Sequence, residues 1–234
     1  MKLRIKFRKF GPVKFIGHLD IMRFFQKAMR RADIDIAYSA GFSPHQIMSF
    51  AAPLGVGLES NGEYLDIEMN SAITTVDFIK QFNAVTALGI ELLDVRLLPA
   101  DVGNAMASVA AALYTVTFRR GRAPACHWQA SFEDFMKLET IVVTKQTKKS
   151  TMELDLKPFI YSYKIEGDSL QLLVDASSSG NIKPGMVVEA FMTYSGEVLQ
   201  ENALCIIREE TYGKRTVDEE TSFIPLADFG EVMV

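Results

Sequence analysis

The sequence predicts an α+β protein of two tandem ferredoxin-like (split βαβ) halves with mainly antiparallel sheets. Three observations predict it. Hydrophobic periodicity runs strand, helix, strand pair, strand, helix, strand over the first 98 residues. The same order returns after an offset of about 110 residues, as a repeat of pattern and not of letters. Between the two lies a stretch rich in Ala, Asp and Gly, residues 99–110, with the composition of a linker. The halves therefore fall at 1–98 and 111–212, and residues 213–234 remain as an acidic C-terminal tail.

In the first half, residues 2–9 alternate: Leu3, Ile5 and Phe7 on one side, Lys2, Arg4, Lys6 and Arg8 on the other. Period-two alternation is the mark of a half-buried strand. Gly11-Pro12 breaks it. A helix follows over residues 19–32, with Ile21, Phe24, Phe25, Ala28 and Ala32 as its apolar stripe and Arg23, Lys27 and Arg30 on the other side. Short strands are expected at 34–39 and 47–51, flanking Gly41-Phe42-Ser43-Pro44, and a longer one at 63–69. A second helix is expected at 74–87, with Thr74 or Thr75 as N-cap, and Gly89 separates it from a strand at 90–98.

The second half is read in the same way. A strand is expected at 112–119 and a short helix at 131–138 with Ser131 as N-cap. Strands at 140–147, 158–165 and 169–176 follow, the last two joined at Gly167-Asp168. Pro184 opens a helix at 184–194, Gly196 closes it, and a strand covers 203–211. In the tail, Phe223, Ile224, Leu226 and Phe229 offer apolar side chains to dock it.

The composition is that of a globular chain: 234 residues, 48% hydrophobic and 23% charged. No apolar run reaches the roughly 18 residues of a membrane span, and Met1–Lys6 alternates where a secretory signal would be continuously apolar. The only two cysteines, Cys126 and Cys205, lie far apart, so a reducing cytoplasm is expected. The charge is polarised. Residues 1–31 hold ten basic side chains against the one carboxylate Asp20, a formal +9, so −13 remains for the rest of the chain's net −4. Such polarity suits either a basic surface for an anionic partner or pairing between the chain's own parts.

Both readings apply to the stripe Lys2, Arg4, Lys6 and Arg8. An open sheet face carrying it can hold a phosphate backbone. But the 63–69 strand should lie alongside and present Tyr64, Asp66 and Glu68, so cross-strand ion pairs can satisfy it. Arg23, Lys27 and Arg30, with Lys148 and Lys149 in a second basic patch near Lys145 and Lys157, complete the nucleic-acid-binding candidates. His18, at a helix start, and His45, in a Gly/Pro loop, are the catalytic candidates, each set against a structural role. Cys126-His127 has no further Cys or His nearby in sequence and makes no zinc set. Gly55-Val56-Gly57 lacks the helix of a dinucleotide loop and reads as a turn.

The run Lys6-Phe7-Arg8-Lys9-Phe10-Gly11-Pro12-Val13-Lys14-Phe15-Ile16-Gly17-His18-Leu19-Asp20 resembles the opening signature of the radical-SAM-linked family of domains of unknown function. So do Ala40–His45 with Met48–Ala51, Pro53–Ser60 and Glu63–Ile67; Asp155–Pro158 and Asn181–Pro184 match more loosely. The resemblance spans residues 1–212 and implies a radical SAM protein as partner. An iron–sulfur cluster needs closely spaced cysteines, which two distant ones do not provide. Cluster and S-adenosylmethionine are therefore expected only in that partner, with no cofactor in this chain. The first block is more distantly similar to CRISPR repeat-processing endoribonucleases, built from tandem ferredoxin-like halves, a likeness of fold alone. The expectation is an accessory or substrate-binding protein of a separate radical SAM enzyme, with RNA or a ribonucleoprotein as ligand. The alternatives are a metal-independent endoribonuclease using His18 or His45, and a protein-interaction module.

Overall fold

A computed structural model describes residues 1–125, 127–146 and 151–234. The chain is α+β with mainly antiparallel strands and divides into two units, residues 1–110 with 208–234, and residues 111–207.

The first unit begins with β1 (Lys2–Lys9), α1 (His18–Arg31), β2 (Met48–Phe50), β3 (Glu59–Glu68), α2 (Thr75–Asn83) and β4 (Ile90–Leu97). Its strands lie in the order β4-β1-β3-β2, all neighbours antiparallel, which is the split βαβ order. The alternation of β1 decides which side faces in: Leu3, Ile5 and Phe7 are buried under the helices. They meet Ile21, Phe25, Ala28 and Met29 of α1, and Phe78 and Phe82 of α2. The Phe7 and Phe25 rings are 4.7 Å apart, and Phe25 stacks on Phe82 at 5.3 Å. Thr74 caps α2, its Oγ1 accepting from the Asp77 N–H at 3.1 Å. Thr75 turns inward and donates to the Val95 carbonyl at 2.8 Å. The expected strand at 34–39 reduces to single bridges, Ile36 with Met69 and Tyr38 with Gln46. The stretch 99–110 contains a four-residue helix, α3 (Ala105–Ser108), capped by Asn104.

The second unit comprises β5 (Ala111–Phe118), α4 (Trp128–Phe135), β6 (Val142–Gln146), β7 (Thr151–Asp155), β8 (Ile160–Glu166), β9 (Ser169–Asp175) and α5 (Pro184–Tyr194). It ends in the first residues of β10 (Leu204–Val217), and its strands run β10-β5-β9-β8. The helix α4 starts three residues before the expected position, because Trp128, Phe132 and Phe135, at i, i+4 and i+7, are its buried face. Ser131 lies inside the helix; His127 holds the N-cap position without a side-chain bond. The expected 140–147 strand is β6, paired with β7 in a separate two-stranded ribbon.

Residues 213–234, read from sequence as a tail, are built into the first unit. They supply the end of β10, then β11 (Glu220–Pro225) and β12 (Glu231–Val232). β11 pairs with β10, and β12 with β4. Leu226 is fully buried, and Met233 joins the core while its N–H donates to Thr75 Oγ1 at 3.0 Å. Gly62 on β3 marks where β10 comes closest: a Cβ there would lie 2.6 Å from the Glu210 Cα and 2.8 Å from the Glu209 carbonyl oxygen. Among the described residues no helix is long and apolar enough to cross a membrane.

Candidate functional site

The basic stripe of β1 is not an open face. Arg4 is 1% exposed. Its Nε and Nη2 donate to the two carboxylate oxygens of Asp66 at 2.8 and 2.9 Å, a bidentate fork. Its remaining donors reach the carbonyls of Leu226 at 3.2 Å and Gly103 at 3.1 Å. Lys6 pairs with Glu210 at 2.5 Å, and Arg8 lies 3.5 Å from Glu91 with its guanidinium over the Phe10 ring. Lys2 stays exposed, in register with Glu68. Asp66 and Glu68 are the carboxylates that the sequence places on the neighbouring strand. Glu210 and the covering carbonyl of Leu226 come from more than 200 residues further on, and no local pattern announces them.

His18 is the first residue of α1, with Gly17 as N-cap. Its ring stands edge-on to Phe50 at 5.1 Å and lines a small recess of about 10 Å³ with Lys9, Ile21, Leu54 and Glu63. That is room for about one water. Lys9 is buried and donates to the Ile16 carbonyl at 2.8 Å; Glu63 is buried and paired with Arg208 at 2.8 Å. Burial pushes the His18 imidazole below its ordinary value; Glu63 opposes this and Lys9 adds to it. Burial likewise lowers Lys9, against the pull of Glu63. This cluster sets the imidazole at a small recess with room for about one water.

The outer face of α1 differs. Arg23, Lys27 and Arg30 are exposed. Arg23 pairs with Asp20 at 3.1 Å on a solvated surface, where such a pair holds little energy. Among the described residues, neither Lys27 nor Arg30 forms an ion pair. Beside the C-terminal end of α1 stands the loop carrying His45. Backbone bonds from Ser39 N to His45 O at 2.8 Å and from Ile47 N to Ala37 O at 2.9 Å make a small hairpin there. The His45 Nδ1 and Ser39 Oγ share a hydrogen bond at 2.9 Å. His45, Arg30, Gln26, Tyr38, Pro44 and Gln46 line a cavity of about 220 Å³. Twelve residues of helix separate His18 from Arg30, roughly 18 Å at 1.5 Å per residue. The two histidines are thus at opposite ends of α1 and form no acid–base pair. Tyr38 and Gln46 are site residues that the sequence reading missed; the signal available was their place either side of the Gly/Pro loop.

Lys148, Lys149 and Cys126 lie outside the described residues. Gly57, at φ +90°, donates its N–H to the Lys14 carbonyl at 2.8 Å, so the Gly55–Gly57 stretch is a turn. Among the described residues no group of three or more His, Cys, Asp or Glu is placed to hold a metal ion.

The fold and the site define an α+β protein whose first unit turns a basic helix face and a small polar cavity toward solvent. A family model described as an uncharacterized protein conserved in bacteria (DUF2344) matches residues 2–184, and the chain belongs to that family. No curated protein matches it.

Proposed function

We propose that this chain is an accessory or substrate-binding protein working with a separate radical SAM enzyme, and that it engages RNA or a ribonucleoprotein along the outer face of α1. The first clause rests on the resemblance of the Lys6–Asp20, Ala40–His45, Pro53–Ser60 and Glu63–Ile67 stretches. In this reading the iron–sulfur cluster and S-adenosylmethionine belong to the partner chain. The second clause is carried by one observation: Arg4 and Lys6 of the β1 stripe are consumed by internal carboxylates and carbonyls, while Arg23, Lys27 and Arg30 remain at the surface. Lys2 is the one member of the stripe that stays exposed and can add to the footprint. Phosphates gain from such cations by releasing counterions, which makes binding salt-dependent.

Fluorescence anisotropy with a generic single-stranded RNA over a salt series tests this. Binding should weaken steeply with salt. Replacing Arg23, Lys27 and Arg30 together by Ala should reduce the log–log slope by about 2, at roughly 0.7 per lost single-strand phosphate contact. Absence of binding at low salt overturns the RNA clause and transfers the reading to a protein partner.

A further inference from the structure

We propose that the groove between β6 and α5, in the second unit, docks an extended peptide segment of a partner polypeptide, which adds a third strand to the β6–β7 ribbon and brings a cationic side chain to Glu189. The inference uses nothing of α1 and stands apart from the RNA reading above.

The argument begins with the register of the ribbon. β6 pairs with β7 alone, Val142 opposite Asp155, Val143 opposite Leu154 and Thr144 opposite Glu153. At its open end the Leu156 N–H donates to the Ile141 carbonyl at 2.8 Å, so Ile141 and Leu156 form a hydrogen-bonded pair. Such pairs alternate with unbonded ones along an antiparallel ladder. Val143 with Leu154 is therefore the next bonded pair, and the N–H and C=O groups of Val142 and Thr144 point away from β7. Among the described residues nothing pairs with them there. A row of free backbone donors and acceptors is a template for another strand.

A cavity of about 490 Å³ lies along that edge, within the usual range of ligand pockets, about 300–1,000 Å³. Its β6 side is formed by five successive residues, Thr140–Thr144, and no described residue of β7 lines it. Successive side chains of a strand alternate between its faces, so a cavity that meets all five runs along the edge. The facing wall is one side of α5: Met186, Glu189, Ala190 and Thr193 follow the i, i+3, i+4, i+7 spacing. The other side of this helix, with Val187, Val188 and Phe191, is already buried in the core. Met186 and Ala190 give it a second apolar surface, half-buried and facing the groove.

Three features define the occupant. Only a polypeptide repeats N–H and C=O groups at the spacing of a strand edge. The floor holds Ile141 and Phe135, both buried, so apolar side chains at alternate positions complement it. Glu189 is exposed on the wall and, among the described residues, forms no ion pair, so a Lys or Arg of the segment complements its charge. Five residues of β6 span roughly 17 Å at about 3.4 Å each, which sets a segment of about six residues. A second copy offering its own β6 edge would bring its own α5 into the same space; a single free strand avoids that clash.

Fluorescence anisotropy on the full chain tests this with labelled, N-acetylated hexapeptides that alternate Val with Thr, one Thr being replaced by Lys, Glu or Gln. The Lys peptide should bind about tenfold more tightly than the Glu peptide, and Glu189→Lys should reverse that order. N-methylation of the Lys peptide should show a period of two: a large loss at the positions whose N–H faces β6, little at the alternate ones. Val142→Pro removes an edge N–H and no bond to β7, and should weaken the Lys peptide about tenfold. The N-methyl series leaves the protein unchanged, so the test holds if Val142→Pro fails to fold. No binding of any of the three peptides overturns the proposal, as does binding without the period of two. The same charge order in wild type and Glu189→Lys overturns the role of Glu189. A dimer in sedimentation equilibrium that Val142→Pro dissociates makes a second copy the occupant and overturns the partner segment.

Discussion

Arg4→Met should destabilise the first unit by about 3–5 kcal/mol, the cost of stranding one member of a buried ion pair. The structure sets this magnitude. The Arg4 side chain is 0% exposed and that of Asp66 11%, so neither charge has water to return to when the other is removed. Met fills the aliphatic part of the arginine side chain but leaves the Asp66 carboxylate with one remaining donor, the Ala105 N–H at 2.6 Å. The carbonyls of Leu226 and Gly103 lose a partner as well. Arg4→Lys should be costly too, because an ammonium cannot span both carboxylate oxygens and two carbonyls. The assay is urea unfolding followed by two probes. The single tryptophan, Trp128, lies in the second unit, so its fluorescence reports there, while far-UV circular dichroism reports both units. The dichroism transition should move to lower urea with part of its amplitude separated from the fluorescence transition. Pairing Arg4→Met with Asp66→Leu should recover a large share of the loss, since the double variant buries no charge. A loss under about 1 kcal/mol in Arg4→Met, accompanied by weaker RNA binding, would refute the reasoning, because it would mean that Arg4 serves a ligand and not the fold.

Truncation after Gly213 should unfold the first unit and not expose a stronger anion site. It removes Leu226 and Met233 from the core and takes the Leu226 carbonyl from Arg4; a truncated chain with native circular dichroism would contradict this. The pH dependence of His18 has a definite sign. Its folded pKa lies below the ordinary value near 6.5, so the unfolded chain binds the proton more readily. Stability from this group is complete above pH 6.5 and falls as pH drops toward the folded pKa. His18→Gln should remove that component, leaving a flatter urea midpoint between pH 7.5 and 5.5 than wild type; an unchanged pH profile would show that the imidazole is solvated in both states.

Much of the fold was legible because it rests on local periodicity. The alternation of Leu3, Ile5 and Phe7 chooses the buried side of β1 without reference to anything else, and Ile21, Phe25 and Ala28 do the same for α1. What the sequence left open follows from contacts between distant segments. A strand that pairs with one partner only, such as β7, has no second neighbour to impose a strong pattern. The final 22 residues look like an acidic tail because their apolar side chains are spread among carboxylates. Their burial depends on β4, β10 and Thr75, which are remote in sequence. The candidate site divides in the same way. Arg23, Lys27, Arg30 and His45 were readable as residue types in exposed patterns. The cavity that joins Arg30 to His45 exists only because the bridge between Tyr38 and Gln46 folds the loop back beside Gln26.

The charge polarity of the chain now has a physical account that bears on function. A +9 segment facing a −13 remainder could produce a strong basic field over the whole N-terminal region. In the folded chain the two draw on each other at short range: Arg4 on Asp66, Lys6 on Glu210, Lys14 on Glu59, Arg8 on Glu91. At ionic strengths near 0.15 M, charges separated by more than about 8 Å are largely screened, so pairs in contact contribute little beyond their neighbourhood. The cations left over at the surface are Lys2 on β1 and a group on the outer face of α1. Lys27 and Arg30 sit within one turn of each other, and Arg30 also lines the cavity with His45 and Gln46. Polarity that seems diffuse in the sequence is thereby reduced, at the surface of the N-terminal segment, to Lys2 and the outer face of α1.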